Sequence, residues 1–324
     1  MQRITTALCA LIAPIVIMST PATAQGTWPD KPVTLIVPWA PGGSTDILAR
    51  TLSEHLTKSY GHPFIVENKP GASGNIGSNI VAKAKPDGYT LLVGSMSTHA
   101  MNGALFTSMP FKPVDDFTPI ALVAYVTNTM VINAAVPVNT VPEFIAYAKA
   151  RPGKLAYASA GPGSTNHLSA ALFEKAAGIE MLHVPYKGGA PAVQDTVGGQ
   201  VQVFFSAGTQ TLPHVKSGKL KLLAVTEKER STLLQTTPTV AETLPGYELA
   251  VWYGMFGPVG MPRELQAKLN AEVNRIMQLP EVKDKMANIG VEVAKLTTTQ
   301  FDDILRRDTA KYNKLIAELG IKPE

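Results

Sequence analysis

Cysteine is almost absent from this chain of 324 residues. The single one, Cys9, falls inside the N-terminal leader described below. The rest of the chain therefore has no disulfide, no thiol nucleophile and no cysteine-ligated metal. Histidine is scarce as well. The six histidines never stand at His-x-x-x-His spacing, so no metal site is expected. Basic residues are not gathered anywhere. The formal charge is +4, but no dense Lys/Arg cluster occurs, and nucleic acid is not expected as a partner. There is no P-loop, and GPGSTN at Gly161–Asn166 lacks the third glycine of the dinucleotide fingerprint. Ser164 with His167 invites a hydrolase reading. Spacing of i to i+3 at a helix start does not set up a nucleophile–base pair with an orienting acid, and the stretch has no Gly-x-Ser-x-Gly elbow. These absences argue against an enzyme and against a cofactor.

What remains is a globular balance, with 45% hydrophobic and 17% charged residues. The length suits two lobes of ordinary domain size. The N-terminus reads as a secretory signal over residues 1–24. Arg3 supplies the positive start, Leu8 to Met18 an apolar core, and Ala22-Thr23-Ala24 a small-x-small cleavage site before Gln25. The apolar core is too short to span a bilayer comfortably, so cleavage is favoured over anchoring. Export, and a periplasmic location, is the expectation.

The chain is organised around Val33 to Arg50. Val33–Val37 is a continuous apolar run, as in a strand covered on both faces. Pro38 and Pro41 stop it, and Gly42 and Gly43 allow a tight turn. Ser44 is a good N-cap, and Asp46 sits in the first helical turn, where negative charge suits the dipole. The free N–H groups of such a helix start favour an anion over the strand's C-terminal end. The device then recurs. Strands are expected at Phe64–Glu67, Thr90–Gly94, Phe117–Val126 and Thr129–Asn133, with a crossover between lobes near Tyr125. The pattern restarts with a helix at Val141–Lys149, a strand at Leu155–Ala158 and a helix at Thr165–Ala177. Strands at Met181–Pro185 and Val201–Phe205 follow, then a helix at about Leu212–Ser217. Leu249–Phe256 is a strand, and Thr297 with Gln300 forms a capping box for a last helix. The alternation argues for parallel sheets with helices on both faces. Residues 26–125 and 236–324 are assigned to lobe 1, and 126–235 to lobe 2, with two crossings acting as a hinge.

Ligands of open α/β sheets bind beyond the C-terminal ends of the strands. Five loops hold that position: Pro38–Asp46, Ser95–His99, Ser159–Asn166, Tyr186–Ala190 and Ser206–Thr209. They are rich in Gly, Ser and Thr, and Lys187 is their one basic residue if neutral histidine is set aside. Taken singly, each could be an ordinary tight turn. Together they could hold a carboxylate through backbone N–H groups, hydroxyls and helix dipoles, each charge-assisted bond worth ~1.5–3 kcal/mol net.

The stretch PWAPGGSTDILAR at Pro38–Arg50 resembles the opening signature of the Bug-type extracytoplasmic solute-binding receptors of tripartite tricarboxylate transporters. Further matches are ENKPGASGNIG at Glu67–Gly77, KPDGYTLLVGS at Lys85–Ser95, ASAGPGSTNH at Ala158–His167, VPYKGGAPAVQDTVGGQV at Val184–Val201 and GPVGMP at Gly257–Pro262. They run in family order over nearly the whole mature chain. The resemblance implies a type II periplasmic-binding-protein fold, carboxylate ligands, and two membrane partners, one large and one small transporter subunit.

Resemblance and loop chemistry together select Gly42, Gly43, Ser44, Thr45 and Asp46 on lobe 1, with Ser95, Ser97 and Thr98. On lobe 2 they select Ser159, Gly163, Ser164, Thr165 and Asn166, then Tyr186, Gly188 and Gly189, then Ser206, Ala207 and Gly208. Trp39 is either an apolar wall of the site or core packing. His99 is either a donor to a carboxylate or a satisfied loop histidine. Asp46 either meets a ligand hydroxyl or amine or serves the helix start. The reading is a monomeric receptor that captures a di- or tricarboxylate, amino acid or aromatic acid by lobe closure. The alternative is a carboxylate sensor for a membrane signalling protein.

Overall fold

The structure is a computed structural model in which residues 28–321 are described. The expected leader and its cleavage site lie outside the described residues. Among the described residues eleven strands form two sheets. In chain order they are β1 (Val33–Val37), β2 (Phe64–Asn68), β3 (Thr90–Ser95), β4 (Phe117–Val126), β5 (Asn128–Asn133), β6 (Ala156–Ser159), β7 (Leu182–Pro185), β8 (Val203–Ala207), β9 (Leu220–Val225), β10 (Val251–Pro258) and β11 (Val291–Val293). The helices are α1 (Ser44–Tyr60), α2 (Asn75–Ala82), α3 (Asn102–Leu105), α4 (Val141–Lys149), α5 (Thr165–Ala177), α6 (Gly189–Val197), α7 (Gly208–Lys216), α8 (Arg263–Met277), α9 (Pro280–Ala287) and α10 (Thr298–Glu318).

The first sheet runs β11-β4-β10-β3-β1-β2 and the second β7-β6-β8-β5-β9. Each has a parallel βα part. β1 pairs in parallel with β2 and β3, and β6 with β7 and β8. The expected parallel pairing holds for these strands, and antiparallel strands complete each sheet. β10 lies antiparallel between β3 and β4, and β5 antiparallel between β8 and β9. Both of these strands enter their sheet from the other half of the molecule, so no crossover helix sets their direction.

Burial explains the strand sequences. Leu35, Val37, Leu91, Val93 and Met255 have no exposed surface in the first core. Phe144, Phe173 and Phe205 form the centre of the second. The chain passes from one sheet to the other at Thr127, whose N–H donates to Gly290 O at 2.9 Å and whose carbonyl accepts from Gly208 N at 2.7 Å. The return falls later than the expected residue 235. Val240 and Tyr247 belong to the second core, and the Tyr247 hydroxyl donates to Ser169 O at 3.0 Å. Leu249 is the first residue back in the first core.

Most expected elements appear within a residue or two. The capping box forms as expected: Thr297 Oγ1 accepts from Gln300 N at 3.2 Å, and Gln300 Oε1 accepts from Thr297 N at 2.9 Å. Three of the named elements differ, and one of them, the short helix α3, has no expected counterpart. α7 starts at Gly208, ahead of the expected Leu212, because its polar first turn carries no apolar periodicity. The three-residue edge strand β11 is too short to show an alternating pattern.

Candidate functional site

The strand β1 delivers the chain to a turn in which Gly42 has φ +81°, a region that suits glycine. Asp46 fixes this turn. Its carboxylate accepts from Gly42 N, Arg50 Nε and Asn68 Nδ2, each at 2.9 Å. Burial alone would raise its pKa, but the bonds from Arg50, Gly42 and Asn68 outweigh it and hold the carboxyl below its usual value. Asp46 is thus committed to its own loop and its neighbours Arg50 and Asn68. Ser44 is not the N-cap that its position predicts. Gly43 takes that place, and Ser44 begins the helix with its side chain free to reach outward.

It reaches the other half. Ser44 Oγ lies 2.5 Å from Thr209 Oγ1 and 2.8 Å from the Gln210 amide, both in the first turn of α7. With the amide oxygen toward Ser44, Gln210 also accepts from Ser44 N at 3.2 Å and donates to Gly189 O at 3.1 Å. This orientation satisfies both ends. A second cross-cleft bond runs from Thr165 N to Ser97 Oγ at 3.0 Å. A third joins Ser73 Oγ, as donor, to Pro162 O. The halves are therefore in contact through their helix starts.

On the second half, Ser164 caps α5 by accepting from His167 N, and its hydroxyl donates to Gly161 O at 2.7 Å. His167 Nδ1 accepts from Gly163 N at 3.1 Å, so this imidazole holds the glycine turn and is not a base for Ser164. Asn166 Nδ2 donates to Phe205 O at 2.7 Å, tying α5 to β8. Ser159 Oγ meets His183 Nε2 at 2.6 Å, and His183 stacks on His167 with centroids 4.3 Å apart. Burial lowers the pKa of both imidazoles, that of His183 to about 4. Gly188 precedes α6 at φ +151°, and an added Cβ there would lie 3.1 Å from Ala40 Cβ of the other half. At Gly189 an added Cβ would collide with the Gln210 amide.

Between the halves is an inner cavity of about 30 Å³. Trp39, Gly43, Ser44, Thr45, Ser95 and Ser97 line it from one side. Ser164, Thr165, Asn166, Gly189 and Ser206 line it from the other. The starts of α1, α5, α6 and α7 thus meet at one point, and among the described residues no charged side chain lies on the wall. Ser206 Oγ is buried there with no hydrogen-bond partner among the described residues. Four helix N-termini in a small polar cavity favour an anion without any cation from a side chain.

Several predicted residues stand elsewhere. His99 is 1% exposed, stacks on Phe256 at 3.7 Å and contacts Thr98 Oγ1 through Nδ1 at 2.8 Å. It is a core histidine, pushed down to about 3 by burial, and does not line the cavity. Thr98 sits behind the wall and donates to Ser95 O. Gly42, Gly163 and Gly188 shape turns, and Ser159 bonds within its own half. Ala207 precedes α7, while Gly208 packs where the chain crosses between sheets. Tyr186 lines a larger outer cavity that Trp39 shares. Three wall residues were missed, and Ala160, inside the loop Ser159–Asn166, is one of them. Gln210 follows the loop Ser206–Thr209 by one position, so a helix start at Gly208 would have pointed to it. Tyr253 comes from β10, far along the chain, with no local signal. Burial pushes its phenol up to about 12, which keeps it a donor, and Ser44 is its hydrogen-bond partner.

Two α/β halves that present helix starts to a shared cleft define a solute-binding protein. A profile described as "Tripartite tricarboxylate transporter family receptor" matches residues 48–321, and the chain belongs to that family. It is a family of solute-binding receptors and not of enzymes. The chain is 34% identical over 307 residues to Protein BugT of Bordetella pertussis, covering 94% of each. It is 34% identical over 302 residues to a UPF0065 protein from a Pseudomonas species, covering 93% of this chain and 90% of that one. Among solved structures, an R. palustris protein with adipate superposes with a TM-score of 0.89 at 36% identity, over 92% of this chain and all of that one. Periplasmic binding protein BugD gives 0.87 at 33% identity, over 92% of this chain and 100% of that one. MatC from Rhodopseudomonas palustris, solved with malate, gives 0.85 at 31%, over 89% and 100%. Among the described residues no helix is long and apolar enough to cross a membrane, and no cluster of His, Cys, Asp and Glu is placed to hold a metal.

Proposed function

We propose that this protein is an exported, periplasmic receptor that captures a small carboxylate between two lobes and delivers it to a tripartite tricarboxylate-type transporter. The convergence of four helix starts on one polar cavity without a charged wall carries this reading. The first lobe holds α1 and the loop after β3, and the second holds α5, α6 and α7. The chain segments at Thr127 and Leu249 act as the hinge. Closure brings the second lobe's helix starts onto a ligand seated at the first, and the closed form is what one large and one small membrane subunit recognise. A ligand shifts this equilibrium only by its differential affinity for the closed form. The receptor works as a monomer after its leader is removed near Ala24. Adipate and malate bound to the structural relatives support the carboxylate class.

A thermal-shift screen of carboxylates, sugars and cations tests the reading. A ligand at 100 times its dissociation constant should add ~2.7 kcal/mol of stability. The same ligand should sharpen solution scattering toward a more compact particle. A melting temperature that no carboxylate raises would overturn the proposal.

A further inference from the structure

The outer cavity has a different chemistry from the inner one. Its volume is about 580 Å³, and it shares Trp39 and Ala160 with the inner cavity, so the two adjoin. Its walls include Trp39, Phe106, Tyr186, Pro162, Pro185 and Pro191. The two side-chain hydroxyls on these walls are already engaged. The Tyr186 hydroxyl donates to Asp195 at 2.7 Å, and Ser73 Oγ donates to Pro162 O across the mouth. Lys187 is the one charged residue on the wall among the described residues, and it is exposed.

We infer that the ligand of this chain is a monocarboxylate with a flat apolar body. The inference rests on the carboxylate reading above and narrows it. The carboxylate sits in the inner cavity among the helix starts, and the body lies outward against Trp39 and Phe106. A ring in that position removes apolar surface from water and packs edge-on or offset against the aromatic walls. A second carboxylate gains little there. Lys187 is its one cationic partner, and an ion pair with an exposed lysine adds less than about fivefold in affinity. It would also force a charge against the side chains of Phe106, Pro162, Pro185 and Pro191, which carry no donor.

Calorimetry with benzoate, phenylacetate, adipate, citrate and neutral benzamide tests this. At least one aromatic acid should bind ten times more tightly than adipate or citrate, and benzamide should bind at least ten times more weakly than benzoate. Tryptophan emission should change on binding. Trp28 packs on Tyr60 and Trp252 is bonded to Asp308, both away from the cavities, so Trp39→Phe should abolish that change while aromatic acids stay the preferred ligands. Adipate or citrate binding as tightly as the aromatic acids would overturn this inference and leave the receptor reading standing. An emission change that persists in the Trp39 variant would overturn the placement of the ring. If no acid binds, both readings fall together.

Discussion

Ser44 Oγ and Thr209 Oγ1 meet at 2.5 Å although 165 residues separate them in the chain. Each sits in the first turn of its helix, so the positive ends of α1 and α7 face each other across the cleft. Two like poles brought together are unfavourable unless something lies between or ties them. Here the hydroxyl pair and the Gln210 amide tie them, and an anion in the adjoining cavity would relieve the repulsion. The contact thus ties the two halves together at their helix starts.

Thr209→Val keeps the shape of the side chain and deletes its hydroxyl. A buried hydrogen bond of this kind is worth about 1 kcal/mol net, or about fivefold in binding. Calorimetry with an acid found in the thermal-shift screen should show that weakening, with the melting temperature of the free protein almost unchanged. An unaltered dissociation constant would remove the contact from the closed arrangement.

The anion grip is expected to be led by the backbone. Gly43 has φ −79° and ψ 170°, which any residue adopts, and an added Cβ finds its nearest neighbour, Ala40 O, at 3.6 Å. Valine at this position therefore folds, but its side chain enters the cavity. Gly43→Val should weaken binding by more than about a hundredfold, or ~2.7 kcal/mol. Lys187 is exposed, and Lys187→Ala should cost less than about tenfold. Circular dichroism must first show both variants folded. A Lys187 variant that loses all binding beside a Gly43 variant that binds normally would make the grip a side-chain cation.

Much of this arrangement was legible in the sequence, for physical reasons that differ between elements. The run Val33–Val37 is apolar because both its faces are covered, and the glycine turn after it declares itself through residue type. The starts of α1 and α5 were readable because small polar residues precede an apolar period. The start of α7 was not, since Gly208, Thr209 and Gln210 form a polar turn that looks like loop. His99 shows the other limit. A histidine in a polar loop motif looks like a ligand contact, and only the packing of Phe256 against its ring shows that it faces the core. Tyr253 reaches the wall through sheet pairing between β10 and β3, a relationship that local sequence does not carry.

His99 also makes the fold acid-sensitive. Burial pushes its pKa from 6.5 down to about 3. The unfolded chain therefore takes up a proton near pH 6.5 that the folded protein refuses until about pH 3. The stability held through neutral His99 is complete above the unfolded value and is lost as pH falls through this window. His99→Phe keeps the stack on Phe256 and has no proton to accept. The variant should melt close to the wild type at about pH 7.5 and above it at about pH 4.5. Ligand affinity at neutral pH should stay within about twofold, because the residue does not line the cavity. A melting difference that ignores pH would show that the imidazole already titrates normally in the fold.

Glu227 carries the opposite sign and sits beside the crossing between the sheets. Its Oε1 accepts from Asn128 N at 2.7 Å, and its Oε2 is buried with no partner among the described residues. Burial pushes the carboxyl up to about 7, the bond from Asn128 pulls the other way, and Glu292 adds to the rise. Of the charged groups near this crossing, Arg230 pairs with Glu242 and Lys311 with Glu248, and Lys228, Glu229 and Glu292 line the same cavity as Glu227. The folded protein thus keeps a proton that the unfolded chain releases near the ordinary value of 4.5. Stability from this group is present below that value, falls as pH rises toward 7, and stays lost above it. Glu227→Gln keeps the acceptor for Asn128 N and removes the buried charge. The variant should be more stable than the wild type at about pH 8, by an amount that shrinks to nothing near about pH 4.5. Denaturant unfolding at the two pH values measures this directly. Equal stability differences at both would show that Glu227 is solvated in the folded protein and that the crossing holds no buried carboxyl.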